Sequence, residues 1–168
     1  MSTVRFIADL HLSHTNMSVR RGFSTVEEHD EYIISQWNSV VNKRDVTYIL
    51  GDITMEKSSP YHLLSRLNGI KHIVLGNHDR RQDTKKLLDC VESVAGMINY
   101  KGVILTHCPI HPMELEYRFP INIHGHIHGK RVMRTDLPMD VIDERYICVS
   151  CEMVDYTPKT LEELGIKR

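Results

Sequence analysis

Five short groups in this 168-residue chain contain side chains of the types that can bind metal ions. In chain order they are Asp9-Leu10-His11, Gly51-Asp52, Gly76-Asn77-His78-Asp79, Thr106-His107 and Gly125-His126-Ile127-His128. Each group alone is common, because D-x-H and G-D are ordinarily turns and H-x-H can be an exposed strand face. Together they offer carboxylates, an amide and several imidazoles, too many for one ion and about enough for two. Nitrogen and oxygen ligands without a thiolate suit a catalytic site for manganese, iron, zinc or nickel.

Each of the five groups directly follows an apolar segment that predicts a β-strand. These segments are residues 4–8, 46–50, 71–75, 103–105 and 121–124. In an open α/β sheet the ligand crevice lies beyond the carboxyl ends of the strands, so groups distant in sequence can converge there. Gly51, Gly76 and Gly125 in these groups predict sharp turns or close backbone approach.

The remaining pattern predicts one α/β domain over residues 1–168, because strand–helix alternation gives way to a run of strands and no linker or repeat interrupts it. A long helix is expected to begin at Ser24 or Thr25, which precede Glu27 and Glu28 in a capping-box pattern. Shorter helices are predicted near residues 61–67, 83–89 and 157–165. Further strands are predicted at 91–95, 97–100 and 145–150.

The composition limits the classes of function that we expect for this chain. A net charge of −1 and a pI near 6.8 do not favour a protein that binds long nucleic acid, although a local basic patch would suffice. The sequence has neither a signal-peptide pattern nor an apolar run of roughly 18 residues, so we expect a cytoplasmic protein outside the membrane. The four cysteines, among them Cys148 and Cys151, are then expected to be reduced structural thiols, with Cys108 as a packing residue.

The ordered pattern D-x-H, G-D, G-N-H-D, H and G-H-x-H resembles the calcineurin-like metallophosphoesterase superfamily. The resemblance runs from Asp9 to His128, about two thirds of the chain, and every position of the pattern is filled. It implies a four-layer sandwich of two mixed β-sheets flanked by helices, with a dinuclear metal site at the carboxyl ends of the strands.

Carried over residue by residue, the resemblance also implies the ligands of two divalent ions, of which manganese is expected first. One ion would be bound by Asp9, His11, Asp52 and His128. The other would be bound by Asp52, Asn77, His107 and His126, so that Asp52 bridges both. A hydroxide between the ions would attack a phosphate ester, and His78 would protonate the leaving group.

The sequence leaves two alternatives for the role of several neighbouring residues. Arg80 is either a phosphate-binding guanidinium or a solvated surface residue. Asp79 either orients His78 or is a turn residue. His14, His111 and His124 are either site residues or bystanders, and a register in which His124 and His126 are the ligands is conceivable.

The expected activity is hydrolysis of small nucleotide-type phosphodiesters, because the segments between the motifs are short and predict an open site. A protein or nucleotide phosphomonoesterase, or a nuclease, would use the same centre. A scaffold that binds metal without catalysis is the alternative from another class, and it would tolerate missing ligands, whereas here none is missing.

Overall fold

The computed structural model of the protein describes residues 2–54 and 60–167, and its strands form two four-stranded sheets. The first sheet contains β1 (Val4–Ile7), β2 (Val46–Leu50), β3 (Ile70–Val74) and β4 (Ser93–Ala95), and every neighbouring pair is parallel. The second contains β5 (Ile98–Tyr100), β6 (Val103–Leu105), β7 (Asn122–His124) and β8 (Tyr146–Cys148). Here β5 pairs with β6 in antiparallel fashion, whereas the other pairs are parallel.

The predicted α/β class with more than one sheet is therefore confirmed, but the prediction that both sheets are mixed is wrong for the first. The segments between β1, β2, β3 and β4 are each long enough to return the chain to the starting end of the sheet, which gives parallel neighbours. Only two residues, Gly96 and Met97, separate β4 from β5, and there the chain passes from the first sheet to the second.

The helices are α1 (Thr15–Arg20), α2 (Val26–Val40), α3 (Thr84–Leu88) and α4 (Pro112–Tyr117), with short 3₁₀ helices at Tyr61–Arg66, Arg81–Asp83 and Cys151–Met153. The predicted capping box begins α2, because Thr25 Oγ1 accepts a hydrogen bond from Glu28 N at 3.0 Å and the Glu28 carboxylate accepts one from Ser24 N at 2.9 Å. No helix among the described residues is long and apolar enough to cross a membrane. A cytoplasmic location stays a prediction.

The helix predicted at residues 157–165 is wrong. Within this segment the backbone of Lys159 forms an antiparallel bridge with Phe6, with N–O distances of 2.8 and 3.0 Å in the two directions. β1 is the edge strand of the first sheet, so Lys159 provides hydrogen-bond partners for part of that open edge. The segment continues as turns.

The two sheets meet near the carboxyl end of β1. Ala8 N donates to Val149 O at 2.8 Å, and Cys151 N donates to Ala8 O at 3.1 Å, so the segment after β1 runs beside the segment after β8. The loops after β1 and β2 are also paired, because His11 N donates to Asp52 O at 3.0 Å. A core with residues of both sheets, including Ile7, Ile49 and Leu105, supports this edge.

Candidate metal centre

The seven predicted ligands all lie in loops that follow β1, β2, β3, β6 and β7. Five of them have a positive backbone φ, from 49° to 72°: Asp9, His11, Asp52, His126 and His128. Residues other than glycine seldom adopt this left-handed conformation, and such strain concentrates at functional sites, where the surrounding fold maintains it. The backbone is thus held in an unfavourable conformation at five of the seven predicted ligand positions.

Asp9, His11 and His128 form what we call the inner half of the site. One ligand atom from each lies within 4.8 Å of the others. Asp9 and His11 are 0% and 2% exposed. The Asp9 carboxylate accepts hydrogen bonds from Ser150 Oγ at 2.6 Å and from His126 N at 2.9 Å. Burial nevertheless raises the pKa of Asp9, because desolvation disfavours the charged carboxylate.

His11 is the residue of the inner half whose surroundings point most directly to a metal ion. Both of its ring nitrogens are buried without a hydrogen-bond partner. Burial lowers the pKa of His11 to about 3, so the ring is neutral, the form that binds metals. Its Nε2 lies 4.0 Å from Asp9 Oδ1 and 3.8 Å from Asp52 Oδ2. Two atoms that each bind one ion at about 2.1 Å can be at most about 4.2 Å apart, so these distances fit a shared ion.

Asn77, His107 and His126 form the outer half. Asn77 Oδ1 lies 2.9 Å from both His107 Nε2 and His126 Nδ1. His107 Nδ1 donates to the carbonyl oxygen of Leu50 at 2.8 Å, which directs Nε2 toward the site. Burial lowers the pKa of His107, but its hydrogen bond to Asp52 and the charge of that carboxylate raise it more. The Nε2 proton therefore lies among oxygen acceptors, a position that a cation can take over.

Asp52 lies between the two halves. Its Oδ2 is 3.8 Å from His11 Nε2 and 3.4 Å from His107 Nε2, so one carboxylate oxygen faces a ring nitrogen of each half. Burial raises the pKa of Asp52, but the interactions with His107 outweigh this effect and the net shift is downward. The carboxylate is accordingly ionised and placed where a bridging ligand would be.

Two glycines allow the loops to approach this closely. A Cβ on Gly51 would lie 2.5 Å from His107 Nδ1, and the φ of Gly51 is +84°. A Cβ on Gly125 would lie 2.5 Å from Asp9 Oδ2. Both positions confirm the expectation of close backbone approach in these motifs.

Asp79 is a turn residue. This is one of the two alternatives that the sequence left open, the other being that Asp79 orients His78. Its buried carboxylate accepts hydrogen bonds from the backbone N–H of Asp52 and Gly76, both at 2.8 Å, and of Ile53 at 3.0 Å. One side chain thus joins the loop after β2 to the loop after β3. Burial raises the pKa of Asp79, against the effect of these donors.

His78 lies beside both halves, whereas Arg80 interacts with another residue. His78 Nε2 is 4.0 Å from Asp52 Oδ2, and its side chain is 33% exposed, so it is accessible to a substrate. Arg80 forms an ion pair with Asp83, with 3.3 Å between Nε and Oδ2. A phosphate would have to compete with Asp83 for Arg80, and the phosphate-binding role of Arg80 stays a prediction.

Three further histidines occupy different environments. His14 lies next to the site, with its ring centroid 5.3 Å from that of His11 and its Nδ1 buried without a partner. His111 caps α4, because its Nδ1 accepts a hydrogen bond from Met113 N at 3.3 Å. The Nδ1 of buried His124 donates to Gly125 O at 2.8 Å. Among the described residues, His126 and His128 but not His124 belong to clusters able to bind a metal, which argues against the alternative register.

The cysteines confirm one expectation and correct another. All four are free thiols, and Cys148 and Cys151 are buried. Cys108, however, is exposed rather than packed, and its Sγ lies within 4.8 Å of ring nitrogens of His107 and His126. The strand that carries Cys148 ends at that residue, two residues before the end predicted for it.

The sequence patterns missed Ser150, Glu152 and Arg21, which contact the ligands. Glu152 accepts from His128 Nδ1 with both carboxylate oxygens at 3.2 Å, and this hydrogen bond raises the pKa of His128. Burial disfavours the charged form of Glu152, but His128 and Arg21 outweigh it and lower its pKa to about 2. None of the three belongs to a motif, so their separation in sequence concealed them.

Comparison with known proteins gives relatives without an assigned activity. No protein-family model matches the chain. It is 31% identical over 169 residues to the uncharacterized protein MJ1445 of Methanocaldococcus jannaschii, covering 96% of this chain and 89% of the relative. It is 32% identical to the gene 66 protein of Mycobacterium phage L5, over 79% of this chain and 81% of that protein. The crystal structure of AQ665 from Aquifex aeolicus, a protein of unknown function, matches with a TM-score of 0.73 over 98% of both chains at 24% identity, which shows a shared fold.

Proposed function

Since the chain belongs to one family with protein MJ1445 of Methanocaldococcus jannaschii, whose activity is not assigned, we propose from the site itself that it is a metal-dependent phosphoesterase with two divalent ions. The observation that carries the proposal is the position of His11. A neutral, buried imidazole without hydrogen-bond partners faces two carboxylates at 3.8 and 4.0 Å. Leaving buried ring nitrogens unsatisfied is costly, and a cation bound between the two carboxylates would supply the partner that Nε2 lacks.

The donor set supports two ions rather than one. Asp9, His11 and His128 would hold the inner ion, while Asn77, His107 and His126 would hold the outer ion, with Asp52 shared between them. Manganese, iron, zinc or nickel fits these nitrogen and oxygen ligands. Such ions, when bound, lower the pKa of a water molecule and stabilise negative charge on phosphoryl oxygens.

The protein's own residues would then orient the ester and deliver a proton. Asp9 and Asp52 offset only part of the charge of two dications, which leaves the site attractive to a phosphate. His78 lies at the side of Asp52 with one third of its side chain exposed, and it would protonate the leaving oxygen. A cleft of about 380 Å³ beside His126 and His128, lined also by Arg20 and Lys130, supports a small diester as substrate.

The four-layer arrangement belongs to the same proposal. The described sheets supply two layers, and the buried face of α2, with Ile33, Ile34 and Trp37, supports a helical layer on them.

The test is metal binding and hydrolysis by the metal-free protein. Adding Mn²⁺ should give two bound ions per chain by elemental analysis, raise the unfolding temperature, and produce hydrolysis of bis-p-nitrophenyl phosphate. Mg²⁺, Ni²⁺ and Zn²⁺ and the monoester p-nitrophenyl phosphate complete the panel. His111→Ala is a matched control, because His111 is a helix cap outside the ligand set. A protein that binds no ion with any of these metals would refute the proposal.

A further inference from the structure

Arg21, the residue after α1, is an arginine with an unusually buried side chain. Its side chain is 1% exposed. Nη2 donates to Asp9 O at 2.7 Å, and Nη1 donates to Leu10 O at 3.0 Å. The guanidinium therefore binds two successive carbonyl groups of the D-x-H turn, between the two ligands Asp9 and His11. This turn is also where positive φ angles of 58° and 50° occur.

The other edge of the same guanidinium binds Glu152. Arg21 Nε donates to Glu152 Oε1 at 2.8 Å, and Glu152 in turn accepts from His128 Nδ1 at 3.2 Å. With Nδ1 donating to Glu152, Nε2 is the His128 nitrogen that would bind the inner ion. Arg21 and Glu152 thereby connect the loops after β1, β7 and β8.

The Arg21 guanidinium has a third contact, with His29. Its Nη1 lies 2.9 Å from His29 Nε2, and His29 Nδ1 lies 2.9 Å from Asp30 Oδ1. Since Arg21 can only donate, His29 accepts at Nε2 and donates its Nδ1 proton to Asp30. Asp30 also accepts from Ser13 N at 2.9 Å, so the network returns to the loop after β1.

We propose that Arg21 and Glu152 are a positioning pair, which sets the Asp9–His11 turn and the ring of His128 for the inner ion. The inference rests on the proposed function, because it needs a metal to be bound there. The Arg21 side chain is buried and the Glu152 side chain is 26% exposed, so forming this ion pair desolvates the guanidinium almost completely and the carboxylate in part, which costs stability. Such a pair is useful where it orders the ligands of a metal ion. Residues that hydrogen-bond to a metal-bound histidine order it by fixing its tautomer and the direction of its ring. Glu152 also offsets the charge that Arg21 brings close to a cation site.

The test is stepwise titration of the metal-free protein with Mn²⁺ by calorimetry. Glu152→Gln keeps the size of the side chain but removes its charge, and it should weaken one of the two binding steps by about 10- to 100-fold. The other step should be unchanged. Arg21→Lys keeps the charge but loses the fork that reaches Asp9, Leu10 and Glu152 together, and it should weaken the same step. Glu163→Gln is the control, because Glu163 pairs with Arg5 at 3.0 Å away from the site.

The outcomes separate this inference from the proposed function. Cobalt(II) absorption of the inner site should change in both variants, a signature that loss of packing alone would not produce. If Glu152→Gln does not fold, Arg21→Lys alone decides. Two ions bound with wild-type affinities in the variants would overturn the pairing role and leave the proposed function intact. A wild-type protein that binds no ion would overturn both.

Discussion

The inner and outer halves of the site use similar ligands in different surroundings. Asp9 and His11 of the inner half are buried and His128 is partly exposed, whereas Asn77 and His126 of the outer half are exposed and His107 is buried. The inner ligands are held by Ser150, Glu152 and Arg21, three side chains outside the five motifs. In the outer half, His107 is oriented by one main-chain carbonyl, that of Leu50. The inner half is thus preorganised by the fold, and the outer half faces the solvent from which a substrate arrives.

From this difference we infer that the two halves of the proposed centre have different functions. A buried site with oriented ligands retains an ion, because the protein has already lost the conformational entropy of ordering its side chains. An exposed site exchanges its ion and admits phosphate oxygens more easily. Substitutions that affect one half, both halves or neither can therefore test the comparison.

The largest effect is expected from Asp52→Asn, since Asp52 faces both halves. The amide keeps the shape but loses the charge that would be shared between two cations. Activity should be abolished, and elemental analysis should find fewer than two ions per chain. Two ions fully retained in this variant would remove the bridging assignment and leave the halves independent.

A smaller effect is expected when a ligand of only one half is substituted. His11→Ala should remove the inner ion and leave the outer one, whereas His126→Ala should do the reverse. Because the inner site is the better ordered, His126→Ala should retain its remaining ion through dialysis against a weak chelator, and His11→Ala should not. Equal retention in both would contradict the comparison.

The convergence of the loops with the five motifs could be predicted from the sequence for a physical reason. Parallel strands place their carboxyl ends at a common edge, so a polar group after each of five apolar segments specifies a shared site. Twelve residues lie between His107 and Pro120, and the prediction of the site did not depend on them, since α4 lies there and was not predicted. Asp9 and His128 share the inner half although they lie at opposite ends of the motif series.

The supporting residues could not be predicted, because nothing local marks them. Arg21 is the second of two successive arginines at the end of a short helix, and its partner Glu152 lies far along the chain. The helix predicted at 157–165 failed for a similar reason. Its spacing of Leu161 and Leu164 is helical, but the pairing of Lys159 with the open edge of β1 is a tertiary contact.

His78→Ala should sharpen the comparison by affecting catalysis without affecting either half. General acid catalysis is typically worth about 10²- to 10⁴-fold, so hydrolysis of a diester with an alkyl or ribosyl leaving group should slow by that amount. Loss on a p-nitrophenolate leaving group should be far smaller, because this group departs without a proton. Metal content should be unchanged. Equal losses on both esters would instead indicate that His78 positions the phosphate, and loss of metal would make it a ligand.

The smallest effect is expected from a substitution in the cleft beside the outer half. The cleft of about 380 Å³ beside His126 is lined by Arg20 and Lys130, both exposed. If substrate enters from this side, Lys130→Ala should raise KM about 1.4- to fivefold, the range that an exposed ion pair of about 0.2–1 kcal/mol allows. The kcat should not change, and added salt should diminish the difference between variant and wild type, because exposed charges are screened. Lys43→Ala is the matched control, since Lys43 is an exposed lysine near the start of β2, at the other end of that strand from Asp52. A KM unchanged in Lys130→Ala at low salt would place the substrate's approach elsewhere and remove the link between the exposure of the outer half and entry.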